Sequence, residues 1–503
     1  MADTKREIER KYESDESGLP DLTGVAGVRA VIDKGVANLD AVYYDTADER
    51  LAKASMTLRR RTGGSDAGWH LKVPVAPGVR DEIREPLSDT VPRTLAGLVR
   101  SRVREAELLP LVRLRSDRDV RHLVDADGAL LAEVSVDAVH AERLADGGGT
   151  AQWTEIEVEL ADDGDPVFLD KVEKRLRKAG VRPSSSASKL ARALAETAPK
   201  KPKKRRAPVP PPDPETAGDH VLAYVRAQRD AILELDPAVR QDAYDSVHRM
   251  RVATRRLRST FRSYGKVLDR TVTDPAGEEL KWLASELGVD RDREVMTERL
   301  TTVLAELPRT LVSGPIRTRM RTWAGARRGG SRRRLIGVLD SKRYLALLDT
   351  LDTLVAEPPL LPDAAGKPEK VIGKAVRKNF GKVSALVEEA IGAPPGADRD
   401  LALHEARKKA KRTRYAAEAA SPALGAPARD LAKSMKSLTS LLGEHQDSVM
   451  VRQTLRELSA VAHAAGESSF TYGVLYGREE QRAAAVEAEL PGMWEEIGSG
   501  VPV

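Results

Sequence analysis

Several residue types and patterns are scarce or missing in this 503-residue chain, and each absence narrows its function. There is no cysteine, which excludes disulfides, thiolate catalysis and cysteine-ligated zinc. Aromatic residues make up only 4%, which argues against a nucleic-acid site built on stacked rings. No apolar run approaches the roughly 20 residues of a membrane span. The charged amino-terminal segment also lacks the apolar region of a signal peptide. We therefore expect a cytoplasmic protein that does not enter a membrane.

Charged residues of both signs are abundant, with 83 Lys and Arg against 77 Asp and Glu and a formal net charge of +6. Such a near balance means that any recognition depends on local concentrations of one sign. The length predicts two or three domains. Residues 198–216 combine a Lys/Arg run with closely spaced prolines, which is typical of a stiff, extended linker. We predict domains at 1–197 and 217–496 on either side of it.

The two sides of the linker differ in their hydrophobic periodicity. Before it, short segments alternate apolar and polar residues with a period of two, and Gly, Asp and Pro separate them, which predicts strands. After it, long segments rich in Ala, Leu, Arg and Glu fit helical spacing. The predicted fold class is therefore α+β multidomain, with an antiparallel β domain followed by an all-α domain.

Many predicted strands carry charge along one whole face, because alternate residues of a strand share a face. Glutamates occur at both ends of the domain, and arginines and lysines lie between them. One interpretation is an ordinary sheet with one solvated face. The other is a closed barrel whose charged interior binds phosphate through Arg and Lys and holds Mg²⁺ or Mn²⁺ through carboxylates. Polarity alone leaves both open for the charged positions Glu7, Glu9, Lys11, Arg59, Arg61, Arg80, Glu82, Arg84, Arg113, Arg115, Glu155 and Glu157.

The order of these segments resembles the CYTH group, also called triphosphate tunnel metalloenzymes. Residues 7–11 read EIERK and match the group's ExExK signature. Further similar segments are YYDTAD at 43–48, LRRR at 58–61 and a terminal element with Ser186 and Lys189. The resemblance covers most of residues 5–195.

This resemblance implies an eight-stranded antiparallel tunnel that acts on a triphosphate. It implies Mg²⁺ or Mn²⁺ bound by Glu7, Glu9, Glu155 and Glu157, which with Lys11 form the expected catalytic set. It places an acidic residue at Asp137, whereas Arg84 departs from a position that is usually acidic. The expected phosphate contacts in the tunnel are Lys11, Arg59, Arg61, Lys72, Arg80, Arg113, Arg115 and Lys189.

The helical half contains an internal repeat. A first signature, His248, Arg251, Arg255 and Arg258, recurs 156 residues later as a second signature, His404, Arg407, Lys411 and Arg414. A Leu-Gly pair followed by Arg-Asp or Gln-Asp also recurs, at 287–292 and 442–447. The spacing of each signature places its members on one helix face. Two copies of one helical unit therefore form this domain.

No acid lies within 248–262 or within 407–414. A solvated face normally alternates positive and negative residues, so this pattern favours a bound anion over a salt-bridged surface. Nucleic acid is an alternative anion. Two symmetric basic faces with few aromatics favour a featureless polyanion over nucleic acid.

The two signatures resemble those of the CHAD family, the conserved-histidine α-helical domains, over roughly 217–495. The resemblance implies two four-helix bundles related by a pseudo-twofold axis, with a basic groove that binds inorganic polyphosphate. The residues it implicates are His248, Arg251, Arg255, Arg258, Lys378, Lys382, His404, Arg407, Lys408, Lys411 and Arg412.

Three functions stay open at this point. The first is a metal-dependent inorganic triphosphatase whose helical domain binds inorganic polyphosphate or tripolyphosphate. The second is a non-catalytic polyphosphate-binding or targeting protein. The third is a tunnel enzyme that acts on a nucleoside or thiamine triphosphate. Polyphosphate as ligand also implies association with polyphosphate granules, and the sequence leaves the oligomeric state open.

Overall fold

In a computed structural model the chain divides into two compact units, residues 1–209 and 210–503. The structure describes residues 3–14, 18–145, 148–198, 213–288, 291–325 and 328–500, without the side chains of 3, 291–295, 328–331 and 500. Most of the predicted linker, residues 199–212, lies outside that description. Its boundaries at 198 and 216 therefore stay predictions, and each unit is described by itself.

The first unit is a closed antiparallel barrel of eight strands in the order β1-β5-β4-β3-β2-β6-β7-β8, which confirms the predicted fold. Because the barrel is closed, every strand pairs on both sides. The strands are β1 (Asp3–Glu13), β2 (Ala30–Asp45), β3 (Thr57–Thr62), β4 (Gly68–Ala76), β5 (Val79–Glu85), β6 (Leu109–Val124), β7 (Leu130–Arg143) and β8 (Thr150–Leu160).

Around the charged part of the lumen, the apolar strand faces pack outward against helices and the charged faces point into the barrel. On β8, Ile156 and Val158 are buried against Phe168 and Val172 of α3 (Val167–Lys178), while Glu157 lines the interior. Two further helices, α1 (Arg50–Lys53) and α2 (Arg93–Val103), cover strands β3 to β5 in the same way. This inverted polarity is why the strands combine a packed core with a charged lumen.

One end of the barrel interior is apolar. The inward positions there hold Val112, Leu114, Val139 and Trp153, which pack with Leu190 of α4 (Lys189–Glu196). Alternation along β6 then places Arg118 inward, further along the strand. The charged part of the lumen borders this apolar cluster, since Tyr43 belongs to the cluster and also lines the charged cavity.

The second unit is helical, as predicted, and its repeat is visible in the helix lengths. A shift of 155 residues carries α7 and α8 of the first copy onto the single 39-residue helix α14 of the second. The helices are α5 (Ala217–Arg240), α6 (Ser246–Ser263), α7 (Arg270–Glu286), α8 (Arg291–Ala305), α9 (Ile316–Gly325), α10 (Arg328–Leu339), α11 (Lys342–Ala356), α12 (Pro368–Gly392), α13 (Ala397–Leu424), α14 (Ala426–Ala464) and α15 (Phe470–Gly500).

Two apolar cores stabilise this unit. The larger contains residues from both signature helices, including Met250 and Leu257 of α6 and Ala406 and Ala410 of α13. These small alanines let α13 pack closely among its neighbours. A second core joins α8 and α9 to the carboxyl half of α14 and to α15. Among the described residues, no helix is both long and apolar enough to cross a membrane.

Candidate functional site

The barrel encloses a cavity of about 660 Å³ that charged side chains from several strands line. Most of the residues predicted to contact phosphate point into it. The inward strand positions put carboxylates and cations side by side, since Lys11 pairs across the ladder with Glu157, and Lys72 with Glu82. Of the predicted tunnel residues, the structure brings together Glu7, Glu9, Lys11, Arg59, Arg61, Lys72, Arg80, Glu157 and Lys189.

Three buried carboxylates form one group on neighbouring strands of the barrel. Asp137 of β7 and Glu155 and Glu157 of β8 each offer an oxygen, and these oxygens lie within 4.8 Å of one another. The ammonium of Lys189, the first residue of α4, contacts all three. Its Nζ lies 2.9 Å from Asp137, 2.8 Å from Glu155 and 2.6 Å from Glu157.

Other cations contact two of these carboxylates, Asp137 and Glu157. Arg118 Nε donates to Asp137 Oδ1 at 2.7 Å, and its Nη2 donates to Glu157 Oε2 at 2.7 Å. Lys11 donates to the other oxygen of Glu157. Burial alone would raise the pKa of Glu157, but the nearby Lys11, Lys189 and Arg118 outweigh it and lower the pKa well below its usual value. The pKa of Asp137 is lowered as well, so Asp137 and Glu157 are both ionised at neutral pH.

A second charged group centres on Lys72 of β4. Its ammonium contacts Glu7 and lies 3.8 Å from Glu82 Oε1. Glu82 is 1% exposed and accepts from Arg84 Nε at 2.5 Å. Despite its burial, a hydrogen bond with His70 and the charges of Lys72 and Arg59 lower the pKa of Glu82 strongly. Glu9 lies between the two groups, 3.3 Å from Lys11 and 3.8 Å from Arg80. Burial would raise its pKa, but Lys11 and Lys72 lower it to about 2.

The geometry divides the predicted ligand set between neighbouring charged groups of one cavity. Glu155 and Glu157 do lie together, but among the described side chains their third partner is Asp137. Glu7 contacts Lys72, and Glu9 contacts Lys11. The four predicted glutamates therefore do not form one cluster.

The predicted phosphate contacts Arg113 and Arg115 are wrong, since both side chains lie outside the lumen. Val112 and Leu114 take the inward positions of this part of β6, so alternation turns both arginines outward. Arg113 forms a bidentate pair with Asp40, and the Arg115 side chain is 56% exposed. Arg118 supplies the guanidinium that β6 gives to the lumen.

Sequence reasoning missed the roles of Arg118 and Glu82. The sequence places Glu82 between Arg80 and Arg84 on a charged strand face, but it predicts no role for this residue. Along β6 the inward residues change from apolar to charged before Arg118. Nothing in the sequence marks the position of this change.

The donor set fits a hard divalent cation in one respect. Asp137, Glu155 and Glu157 supply the closely spaced carboxylate oxygens that Mg²⁺ and Mn²⁺ prefer. The ammonium of Lys189 contacts the same three carboxylates, so a metal ion and this ammonium would compete for the same oxygens.

In the helical unit, the two signatures meet at one basic cluster. Burial lowers the pKa of Lys411 to about 7, and guanidinium groups of Arg407, Arg255 and Arg251 add to the shift. Asp447 acts in the opposite direction. Residues of α6 and α13 that are 156 positions apart in the sequence thus lie close enough to influence one another.

A second basic cluster lies further along the same two helices. Burial lowers the pKa of Arg412, and Arg262 and Arg258 lower it further. The pKa of Lys409 is also lowered, by burial and then by Arg412, with smaller contributions that include Lys382. The sequence pointed to Arg258, Arg412 and Lys382, and missed Arg262 and Lys409. Their spacing along α6 and α13 was the available signal.

The remaining predicted helical residues have mixed surroundings. His248 is half-buried on α6. Burial lowers the pKa of His404, which hydrogen-bonds Gln446 of α14. Lys408 donates to Glu405 at 2.7 Å, and Lys378 is exposed one turn before Lys382 on α12.

Some arginines of the signature helices are paired with acids. Glu418 contacts Arg414 Nε at 2.8 Å and Arg256 Nη2 at 2.9 Å, and Glu278 lies 3.5 Å from Arg258. Glu418 and Glu278 both lie outside the two acid-free segments. The second signature therefore presents Arg407 and Lys411 to the basic cluster, and Arg414 belongs to a salt bridge.

A further titratable cluster joins α13, α14 and α15. His445 Nε2 lies 3.3 Å from Asp400 Oδ1 and 3.2 Å from Glu487 Oε1. The outer oxygens of these carboxylates face Arg452 at 3.7 Å and Arg399 at 2.7 Å. Two guanidinium groups balance two carboxylates, so the cluster needs no bound ion and acts as an ionic link between helices.

Comparisons with known proteins agree with both units. The CYTH domain model matches residues 5–194, and the CHAD domain model matches residues 223–456. The chain is 39% identical over 515 residues to the uncharacterized protein Rv2226 of Mycobacterium tuberculosis (strain ATCC 25618 / H37Rv), covering 98% of this chain and 97% of that protein.

Two solved structures are similar to one unit each. The CHAD domain from the plant Ricinus communis is 24% identical with a TM-score of 0.44, covering 56% of this chain and 92% of that one. HpAC1 from Hippeastrum, which has a dominant triphosphatase activity, is 19% identical with a TM-score of 0.25, covering 39% of this chain and 98% of that one. On the two domain matches, in the predicted order, this chain belongs to the proteins that carry a CYTH domain followed by a CHAD domain.

Proposed function

We propose that the helical unit binds inorganic polyphosphate and that the barrel hydrolyses a phosphoanhydride bond of tripolyphosphate or polyphosphate with Mg²⁺ or Mn²⁺. The observation that carries the proposal is the lumen, where three clustered carboxylates lie in the same cavity as a set of lysines and arginines. Carboxylates alone would suit a cation, and cations alone would suit an anion. Their combination suits an anion that arrives with a divalent metal.

Each group has a defined task in such a reaction. Arg59, Lys72 and Arg118 would hold phosphate oxygens and orient the terminal phosphate. Hydrolysis joins a water oxygen to the terminal phosphorus and breaks the bridging P–O bond, so negative charge develops on the leaving phosphate oxygen. The fixed cations of the lumen would stabilise that charge. A divalent cation held by Asp137, Glu155 and Glu157 would neutralise phosphate charge and supply an activated water.

The test uses the full-length chain with tripolyphosphate and Mg²⁺ or Mn²⁺, and measures released phosphate. We expect release that EDTA abolishes and that Glu157→Gln removes. Asp117→Asn, on the exposed outer face of β6, is the matched control and should retain activity. Absence of release from tripolyphosphate and from long-chain polyphosphate with either metal would overturn the hydrolytic part. Preferential hydrolysis of ATP or thiamine triphosphate would replace the proposed substrate.

A second candidate, a non-catalytic polyphosphate-binding protein, is favoured by Lys189. Its ammonium contacts all three carboxylates, and Lys11 and Arg118 contact two of them, so three cations face three carboxylates without a metal. Tight polyphosphate binding in EDTA, together with no turnover, would support this candidate. Under either candidate we expect a cytoplasmic location with association to polyphosphate granules, which microscopy of the tagged chain tests.

A further inference from the structure

The Leu-Gly pairs of the two copies raise a question about helix stability. Gly443 lies inside the 39-residue helix α14, and Gly288 follows Leu287, the C-cap residue of α7. Glycine is among the least favourable residues in a helix interior, because it loses the most conformational freedom on folding. Neither glycine has a positive φ, so backbone conformation does not require it. Some other constraint must keep a side chain away from these positions.

That constraint is an arginine in both copies. A β-carbon at position 443 would lie 3.1 Å from Arg407 Nη2 and 3.5 Å from its Nε. A β-carbon at position 288 would lie 2.7 Å from Arg251 Nη2 and 2.8 Å from its Cζ. Arg251 and Arg407 are the corresponding arginines of the two signatures. Each guanidinium group therefore lies against the backbone of the glycine in its own copy, and the contact is duplicated along with the sequence.

The residues that follow Gly443 contact the same signature. Gln446 and Asp447 share a face of α14 with Gly443, since they lie three and four residues further on. Gln446 hydrogen-bonds His404, and Asp447 interacts with Arg407 and Lys411. The Leu-Gly-x-x-Gln-Asp segment is thus the surface of α14 against which the second signature is placed.

We propose that Gly288 and Gly443 are positioning residues of the polyphosphate site, which let the guanidinium groups of Arg251 and Arg407 lie close to the glycine backbone. This inference rests on the proposed function of the helical unit. The contacting atoms are the far ends of flexible side chains, so an added methyl group would displace the arginine and leave the helix in place. The arginine lies closer to Gly288 than to Gly443, so we expect the larger loss of affinity in the first copy.

The test compares Gly288→Ala and Gly443→Ala with the controls Gly277→Ala and Gly477→Ala, whose added β-carbons would meet no atom within 4 Å. Binding of long-chain inorganic polyphosphate to the full-length chain is measured across a salt series. We expect Gly288→Ala to weaken binding roughly tenfold and Gly443→Ala less, because each disturbs one charge-assisted contact. The slope of log affinity against log salt should fall by up to about one unit per variant. Both controls should bind like the unchanged chain.

Thermal stability separates positioning from a folding defect. Alanine favours a helix interior over glycine, so Gly443→Ala should unfold at the same temperature or higher while it binds more weakly. A purely structural role would lower the unfolding temperature and leave the salt slope unchanged.

A double-mutant cycle tests whether each glycine acts through its arginine. In an Arg407→Ala background, Gly443→Ala should cause no further loss, and likewise for Gly288→Ala with Arg251→Ala. An equal loss in both backgrounds, or wild-type affinity in the glycine variants, would overturn the inference. If the unchanged chain itself does not bind polyphosphate, the proposed function fails instead, so the two failures are distinguishable.

Discussion

The barrel and the helical unit both concentrate lysine and arginine, yet their cations have opposite surroundings. In the barrel, Lys189 contacts three carboxylates, which outweigh its burial and raise its pKa. In the helical unit, Lys411 is buried among arginines, and its pKa falls to about 7. The same residue type therefore gains a proton more easily in one unit and loses it more easily in the other, because of its neighbours.

This difference indicates what kind of ligand each unit can accept. The barrel is close to charge balance by itself, so an anion must displace existing ion pairs or bring a metal with it. The basic clusters of α6 and α13 contain mainly like charges, so any polyanion that enters relieves repulsion. We therefore expect phosphate release by the barrel to require a metal ion, and polyphosphate binding by the helical unit to be independent of one.

The largest expected effect is on hydrolysis, from Glu157→Gln. This change removes a charge that Lys11, Arg118 and Lys189 all contact. We expect phosphate release to fall roughly 100- to 1,000-fold, while polyphosphate binding by the helical unit persists in EDTA. Phosphate release and binding are measured on the same preparation. Equal loss of both would break the comparison between the units.

The next effect is on affinity, from Arg251→Ala combined with Arg407→Ala. Loss of two charge-assisted contacts should weaken polyphosphate binding by about 100-fold and lower the salt slope by about two units. Hydrolysis of tripolyphosphate, which is short enough to reach the barrel without the helical unit, should be unchanged. A parallel loss of tripolyphosphate hydrolysis would contradict the division of tasks.

A pH effect of intermediate size should come from Lys411. A bound polyanion raises the pKa of this amine, so binding takes up a proton between pH 7 and the higher pKa of the complex. Affinity should therefore be full below about pH 7 and fall by up to about tenfold for each pH unit above it. Calorimetry in two buffers of different ionisation enthalpy measures the proton uptake. In Lys411→Met both the uptake and this pH dependence should disappear.

The smallest effect should come from Arg115→Ala on the outer face of β6. Its ion pair with Asp40 is 3.8 Å long and exposed, and such pairs contribute little. Hydrolysis should stay within about twofold of the unchanged chain. Arg118→Ala, three residues further along the strand, is the matched variant and should lose most activity. A strong loss from Arg115→Ala would place this side chain in the lumen after all.

The two arginine pairs show what the sequence could and could not predict. Arg59 and Arg61 in β3, and Arg113 and Arg115 in β6, lie two residues apart, and in each case the sequence correctly predicted that the pair shares one strand face. In β3 that face is the lumen, because Leu58 packs outward against α2. In β6 the leucine packs inward, because this end of the barrel is apolar. Alternation defines two faces, and only the closed barrel decides which one is inside.

Contacts between segments that are distant in the sequence could not be predicted either, because they depend on how the folded elements pack. The repeat predicted two equivalent basic faces, but not that Arg251 and Arg255 would lie beside Lys411. The role of Asp137 in the carboxylate group depends on the pairing of β7 with β8, where Asp137 lies opposite Glu155. The glycine contacts with Arg251 and Arg407 depend on helix packing in both copies.

The apolar end of the barrel sets a direction for any substrate. Val112, Leu114 and Trp153 pack with Leu190 of α4 at that end, and under the proposed function we expect substrate to enter the charged lumen from the other end. A long polyphosphate chain could then bring only its terminus to the carboxylates, and its interior bonds would stay outside. Cleavage in this barrel would shorten chains stepwise from the end, releasing small phosphates and never two long fragments.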